Sequence, residues 1–129
     1  MSNVWNLKTM VDLPNNSLST SKYTKVRCES PLEQQFNAPH YFEVTNSETE
    51  ELLQTIHFQE GPIKENGVNG VANEDLINMV VARLDGFQNS PYRCAENENA
   101  KRHLCEALGL LRSRTVQREA RGVEGTNVV

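Results

Sequence analysis

Residues 100–121 read AKRHLCEALGLLRSRTVQREAR, and this stretch decides the fold. Apolar residues recur there at spacings of three and four, which predicts a helix because such positions share one helical face. The apolar face consists of Ala100, Leu104, Ala107 and Leu111. The next positions on the same face carry Arg114, Arg118 and Arg121. A guanidinium is a planar five-donor group suited to phosphate, so the packing face is predicted to continue as an anion-binding face.

A simpler interpretation of the arginines stays open. A long helix can extend beyond its packing partner, and arginines at its exposed end then keep it soluble. They also complement the negative end of the helix dipole. Glu119 lies among these arginines and offers a local ion-pair partner. Under this interpretation the arginine series binds no ligand.

A second helix precedes this one and completes a hairpin. Asn73 is a favourable N-cap followed by two acidic residues, which predicts a helix that continues to about Phe87. The connection, residues 88–95, contains a proline that forbids continuation of the helix. The long helix then spans roughly residues 96–120, and Gly122 is placed as a C-terminal cap. Two long helices joined by a short loop predict an antiparallel helical hairpin.

The sequence before the hairpin predicts a small antiparallel sheet. Residues 40–45 and 51–59 are strand-like and are separated by the turn signal Asn46-Ser47. Two Asn-Gly pairs, at residues 66–67 and 69–70, predict a shaped loop. We therefore expect an α+β protein in which the sheet precedes the hairpin. The expected divisions are a flexible N-terminal arm at 1–37, with at most one strand near 23–28, and a single domain at 38–129 (38–70 β part and shaped loop, 73–121 helical hairpin, 122–129 tail).

The arm contains one residue that its polar composition does not explain. Residues 1–37 are rich in Asn, Ser and Thr and show little apolar periodicity, which is typical of a mobile segment. Trp5 is the exception, and a lone tryptophan in such a segment is expected to dock on its own chain or on a partner.

Length and charge restrict what the protein binds. The chain has 129 residues, enough for one small domain with one core. Its formal net charge of −4 argues against DNA as a partner, so any anion site has to be local. No apolar run approaches the length needed to span a membrane, and we expect no membrane association. Two helices and a small sheet bury little surface, so we expect a homo-oligomer that packs along the face from Leu104 to Leu111.

Motifs for catalysis and metal binding are missing from the sequence. The three cysteines have no close pair and the three histidines are scattered, which predicts reduced thiols and no metal site. No nucleophile elbow, phosphate-binding Walker loop or zinc-protease motif is present. We therefore expect no enzymatic activity and no cofactor.

The loop of the hairpin is a second candidate ligand site. Phe87 and Tyr92 offer ring faces on which a base can stack. Asn97 and Gln88 offer paired amide donors and acceptors, and Arg93 offers a partner for phosphate. A nucleotide requires these three functions together. The alternative is that Phe87 closes the core and Asn97 caps the second helix.

Several segments together resemble a known family. In order and spacing they are similar to the helical-hairpin domain shared by phage anti-CBASS and Thoeris anti-defence proteins. Members of this family sequester immune second messengers without cleaving them. The β part at residues 40–59 is similar to that of the Thoeris-inhibitor branch. The matching segments are residues 58–65, 67–70, 73–76, 83–88, 94–97, 114–115 and 118–126.

The resemblance implies a function and two sets of ligand residues. It implies a phage protein, acting in the host bacterial cytoplasm, that binds cyclic ADP-ribose variants at interfaces between protomers of a dimer or hexamer. By motif position, Phe87 and Asn97 contact that ligand. Arg114 and Arg118 contact cyclic oligonucleotides in a separate site.

One departure and one alternative accompany the resemblance. The family loop usually reads Gly-Pro-Phe, whereas this chain has Ser90-Pro91-Tyr92, which puts ligand preference in question. The alternative function is a phage protein-interaction or regulatory module. In that case the hairpin oligomerises, and the arginine cluster binds an acidic partner.

Overall fold

A computed structural model describes residues 8–13 and 20–129, so the prediction for Trp5 lies outside the described residues. The chain forms two compact units. The sheet unit is the described part of Met1–Gly61 together with Val68–Gly70, and the hairpin unit is Pro62–Gly67 with Val71–Val129.

The sheet unit is a four-stranded antiparallel meander. Its strands are β1 (Met10–Asp12), β2 (Thr24–Glu29), β3 (Tyr41–Asn46) and β4 (Leu52–His57), and they lie in the order β1-β2-β3-β4. The predicted turn after β3 is confirmed, because the side-chain oxygen of Asn46 accepts from the amides of Glu48 and Thr49 at 2.8 and 3.0 Å. This is the local hydrogen bonding that makes asparagine a turn residue.

The sheet begins earlier in the chain than the sequence indicated. Both β1 and β2 lie within residues 1–37, the range expected to be an arm, and β2 pairs with β3 from Thr24 to Cys28. Arg27 on β2 joins the three strands, because its guanidinium pairs with Asp12 on β1 and Glu43 on β3 at 3.1 and 3.8 Å. Cross-strand pairs of opposite charge thus stabilise strands that apolar periodicity does not reveal.

A buried carboxylate organises the connection between β2 and β3. Glu29 is 1% exposed, and its carboxylate oxygens accept from the backbone amides of His40 and Tyr41 at 3.2–3.3 Å. A buried charge requires such partners, and here backbone groups supply them. The ring of Tyr41 stacks on that of His57 with the centroids 4.2 Å apart.

The shaped loop predicted from the two Asn-Gly pairs is held by side-chain amides. The amide group of Asn69 accepts from the backbone nitrogen of Glu60 and donates to its carbonyl oxygen, both at 2.8 Å. The backbone nitrogen of Asn69 also donates to the side chain of Gln59 at 3.0 Å. Gly70 then lies directly against the backbone of Phe58, where a Cβ would be 2.5 Å from the carbonyl carbon.

The hairpin unit contains three helices, α1 (Ile63–Asn66), α2 (Asn73–Gln88) and α3 (Ala95–Ala120), and α2 packs on α3. The predicted helical hairpin is confirmed. The predicted N-cap is shifted by one residue: α2 begins at Asn73, and the Asp75 carboxylate accepts from the amide of Ala72 at 2.8 Å. An ion pair of 2.8 Å between Lys101 and Asp85 joins the two helices.

Gly122 ends α3 as predicted. Its φ is +73°, a conformation that glycine adopts without strain. The amide of Gly122 donates to the carbonyl of Glu119, and that of Val123 donates to the carbonyl of Arg118, both at 3.0 Å. This pair of bonds is the Schellman motif, and it reverses the chain after the helix.

The apolar faces of the hairpin are incompletely covered. Within α2 and α3, which the structure describes in full, Arg118 is the one buried residue. Met79, Val80 and Leu110 are 62%, 47% and 74% exposed. Exposed apolar surface of this kind favours a partner chain, and oligomerisation stays a prediction.

No helix within residues 8–13 and 20–129 is long and apolar enough to cross a membrane.

Replacement of Gly70 by alanine is expected to destabilise the protein by about 2 kcal/mol, because the added Cβ meets backbone atoms of Phe58 that cannot move aside. Gly109→Ala is the control, since a Cβ there meets nothing within 4 Å and alanine favours the helix by about 0.5–1 kcal/mol. Thermal unfolding of both variants measures the difference. Equal losses at the two positions would show that the contact with Phe58 is not the cause.

Stability is expected to fall at alkaline pH because of two groups in the sheet unit. Burial and then the charge of Glu29 raise the pKa of Cys28 above 9.0. Burial and then Glu60 raise the pKa of Tyr41 above 10.0. The unfolded chain therefore loses these protons first, and the free energy of unfolding falls as the pH rises above about 9.

The Tyr41→Phe variant tests this expectation, because it keeps the ring that stacks on His57 and removes the titratable hydroxyl. Urea unfolding between pH 8 and 11 is expected to show a smaller alkaline loss in the variant than in the parent protein. Identical slopes would mean that Tyr41 does not contribute.

Candidate functional site

The end of α2 and the loop after it form an open depression of about 320 Å³. The rings of Phe87 and Tyr92 are 38% and 78% exposed, so both offer faces to solvent. The guanidinium carbon of Arg83 lies over the Phe87 ring, 5.2 Å from its centroid. The depression is lined by Arg83, Gly86, Phe87, Ser90 and Tyr92.

Ser90 shapes the loop that carries Tyr92. Its hydroxyl donates to the carbonyl of Phe87 at 2.6 Å and accepts from the amide of Tyr92 at 3.1 Å. Its own carbonyl accepts from the amide of Arg93 at 3.3 Å. Ser90 is therefore a bridging residue, whose hydroxyl joins the backbone at Phe87 to the backbone at Tyr92.

Gln88 closes the loop with both ends of its amide group. The side-chain oxygen accepts from the amide of Cys94 at 3.1 Å, and the side-chain nitrogen donates to the carbonyl of Cys94 at 3.0 Å. The same nitrogen lies 3.4 Å from a carboxylate oxygen of Glu98. Gln88, which sequence analysis placed among the ligand residues, is engaged by the loop backbone in this structure.

The start of α3 is capped by a cysteine and not by Asn97. The sulfur of Cys94 accepts from the backbone amide of Asn97 at 3.4 Å. The side chain of Asn97 is partly exposed one turn into the helix, and Arg93 is exposed in the loop. Neither lines the depression, whose lining includes Arg83 instead. Arg83 lies four residues before Phe87 on one helix face, so helical spacing could have identified it.

The two candidate sites lie at opposite ends of α3. Asn97 and Arg114 are separated by about 25 Å along the helix, given a rise of about 1.5 Å per residue. The structure therefore does not bring the loop residues and the arginine series together within one chain. The side chain of Arg114 is exposed and makes no hydrogen bond or ion pair within the described part of the chain.

The other two arginines are engaged by the segment that follows α3. Arg118 is 8% exposed and donates to the carbonyls of Val123, Thr126 and Val128 at 3.0, 3.1 and 2.7 Å. Arg121 donates to the backbone oxygen of Val129 at 2.7 Å. Sequence analysis missed these contacts because the acceptors are backbone oxygens, which leave no mark on side-chain composition.

Residues 50–116 match the family model for the Acb2/Tad1 hairpin domain, which is about half of the chain. The chain belongs to the Acb2/Tad1 family. It is also similar to Thoeris anti-defense 1 of Bacillus phage SBSphiJ7, at 41% identity over an alignment 135 residues long; the alignment covers 87% of this chain and 95% of the phage protein. The resemblance inferred from the sequence is thereby confirmed.

The matched region of the family model covers one candidate site in full and the other in part. The Acb2/Tad1 match includes the loop residues and Arg114, and it ends before Arg118 and Arg121.

Within the described residues, no cluster of histidine, cysteine, aspartate or glutamate has the geometry to hold a metal ion.

The Gln88→Glu variant is expected to lower stability by about 1 kcal/mol, because it removes the donor to the Cys94 carbonyl and places a carboxylate beside Glu98. Gln117→Glu is the control, since the Gln117 side chain meets only the Ser113 hydroxyl, at 3.5 Å. Chemical denaturation and amide exchange in residues 88–94 measure the effect. Unchanged stability with a loss of ligand affinity would instead assign Gln88 to the ligand.

Proposed function

We propose that this chain is a phage anti-defence protein that binds and sequesters cyclic nucleotide second messengers without cleaving them. Membership of the Acb2/Tad1 family supports this function, as does the similarity to a protein named for its action against the Thoeris defence. The proposed ligands are glycocyclic ADP-ribose, cyclic oligonucleotides or both, and the site of action is the host bacterial cytoplasm.

The observation that carries the proposal is the depression at the hairpin loop. Its lining combines the aromatic rings of Phe87 and Tyr92 with the guanidinium of Arg83. A base stacks on an aromatic face, and a guanidinium pairs with phosphate through parallel hydrogen bonds. One small surface therefore offers both interactions that a cyclic ADP-ribose requires. Asn97 and Arg93, at the edge of the loop, are proposed to contact the parts of the ligand that extend beyond the depression.

The proposed pocket is completed by another protomer. In one chain the depression is open to solvent, and the ring of Tyr92 is mostly exposed. A sequestering protein has to remove its ligand from water, which a shallow surface cannot do. The exposed side chains of Met79 and Val80 on α2 offer apolar area for a second copy. We therefore expect a homo-oligomer, a dimer or a hexamer, with the ligand at an interface.

The test is calorimetric titration of the purified protein with glycocyclic ADP-ribose, followed by heat denaturation and chromatography of the released ligand. Stoichiometric binding with recovery of intact ligand is the expected result. Recovery of a hydrolysed product would make the protein an enzyme. An absence of binding to both glycocyclic ADP-ribose and cyclic trinucleotides would favour the alternative, an oligomeric protein-interaction module.

Truncation of either ring, in Phe87→Ala or Tyr92→Ala, is expected to weaken glycocyclic ADP-ribose binding by about 1–3 kcal/mol, the usual value of one stacking contact. Asn97→Ala is expected to weaken it as well, with the oligomer unchanged in light scattering. Tyr23→Ala is the control, because it removes an equally exposed tyrosine, 74% exposed, from the sheet unit. Dissociation of the oligomer in the loop variants would make these residues structural.

A second site at the other end of α3 is proposed for cyclic oligonucleotides. Arg114 is the arginine of this series whose guanidinium is free within the described structure, and several protomers would bring several copies of it together. Arg118 and Arg121 belong to the same site only if they exchange their present carbonyl partners for phosphate.

A further inference from the structure

The residues after α3 form a strap, defined here as residues 123–128, that lies against the last turn of the helix. The Schellman motif at Gly122 reverses the chain and starts the strap. The carbonyl of Gly125 then accepts from the amide of Lys64 at 2.9 Å, so the strap also contacts α1. The hydroxyl of Thr126 donates to the carbonyl of Val123 within the strap.

Arg118 is the anchor of the strap. Its two terminal nitrogens donate to three strap carbonyls, and its Nε lies 3.6 Å from a carboxylate oxygen of Glu124. The guanidinium has five donor hydrogens, so most of its capacity is directed at the strap. At 8% exposure the group is also covered from solvent. While the strap is docked, the guanidinium is therefore occupied and largely covered.

The contacts of the strap are of a kind that an anion can replace. Its carbonyls are neutral acceptors, whereas phosphate oxygens carry charge and form stronger hydrogen bonds with a guanidinium. The Oε2 atom of Glu124 pairs with the Nε of Arg118 at 3.6 Å but forms no hydrogen bond in the described part of the chain, so the charged contact of the strap lacks hydrogen-bond geometry. The same carboxylate repels an incoming anion. Release of the strap removes that repulsion and exposes the guanidinium in one step.

We propose that the strap gates Arg118, so that an anionic ligand binds at the C-terminal end of α3 only when residues 123–128 are released. The inference rests on the second site of the proposed function and adds its regulation. The loop site lies at the other end of α3 and is independent of the strap.

The experiment compares the full chain with a chain that ends at Gly122, using a cyclic tri-adenylate as the probe. If the strap is docked about nine-tenths of the time, its removal is expected to tighten binding about tenfold. Adding Arg118→Ala to the shortened chain is expected to remove the gain. Arg112→Ala is the matched control, because it removes one exposed arginine from the same helix and leaves the gain in place.

Amide exchange provides a second measurement on the full chain. Addition of the cyclic tri-adenylate is expected to increase exchange in the strap, and Arg118→Ala alone is expected to do the same without ligand. Equal affinity of the full and shortened chains, or weaker binding after shortening, would overturn the inference. So would a strap that stays protected in the complex.

Titration of the same variants with glycocyclic ADP-ribose separates the two proposals. Unchanged binding at the loop site, together with no gain for the cyclic tri-adenylate, would reject the gate and leave the proposed function intact. Loss of binding at the loop site in every variant would reject the proposed function itself.

Discussion

Two antiparallel helices share too little surface to bury each other's apolar side chains, and this constraint governs the hairpin unit. Apart from Arg118, no side chain in α2 or α3 is buried in the single chain. Polar contacts therefore supplement the packing of α2 on α3, among them the ion pair of Lys101 with Asp85 at 2.8 Å. The side chain of Gln88 forms two hydrogen bonds with the backbone of Cys94 at the loop. The side chain of Arg118 donates to backbone carbonyls of the strap beyond the C-terminal end of α3. The middle of the hairpin keeps exposed apolar side chains, which is the surface on which the proposed homo-oligomer depends.

The parts of the fold that could be predicted are those with local signals. The hairpin follows from apolar spacing, and the end of α3 follows from Gly122, because both depend on residues within one or two turns. Strands β1 and β2 could not be predicted in this way. Their pairing depends on partners far along the chain, such as Arg27 with Asp12, and the buried position of Glu29 depends on amides eleven and twelve residues away. Composition cannot reveal a charged residue whose partners are backbone groups.

The residues of the candidate site also differ in how far the sequence could predict their roles. Phe87 and Tyr92 were predicted from side-chain chemistry, and the structure places both in one depression. Arg83 lies outside the loop, and its place beside the ring of Phe87 follows from the spacing of four residues on α2. Gln88 was predicted as a ligand residue for its amide, and the loop backbone uses that amide. Residue type thus indicates which interactions a side chain can make, whereas geometry decides which partner receives them.

In the hairpin loop, the residues that close the loop differ from the residues whose side chains are exposed. The hydrogen bonds that close the loop join the side chain of Gln88 to backbone atoms of Cys94. The side chains of residues 89, 91, 92 and 93 take no part in these two hydrogen bonds. The hydroxyl of Ser90 adds hydrogen bonds to the carbonyl of Phe87 and the amide of Tyr92. Substitutions at these exposed positions are therefore expected to change the surface that the loop presents and to leave its closure intact, so this surface can vary without loss of folding stability.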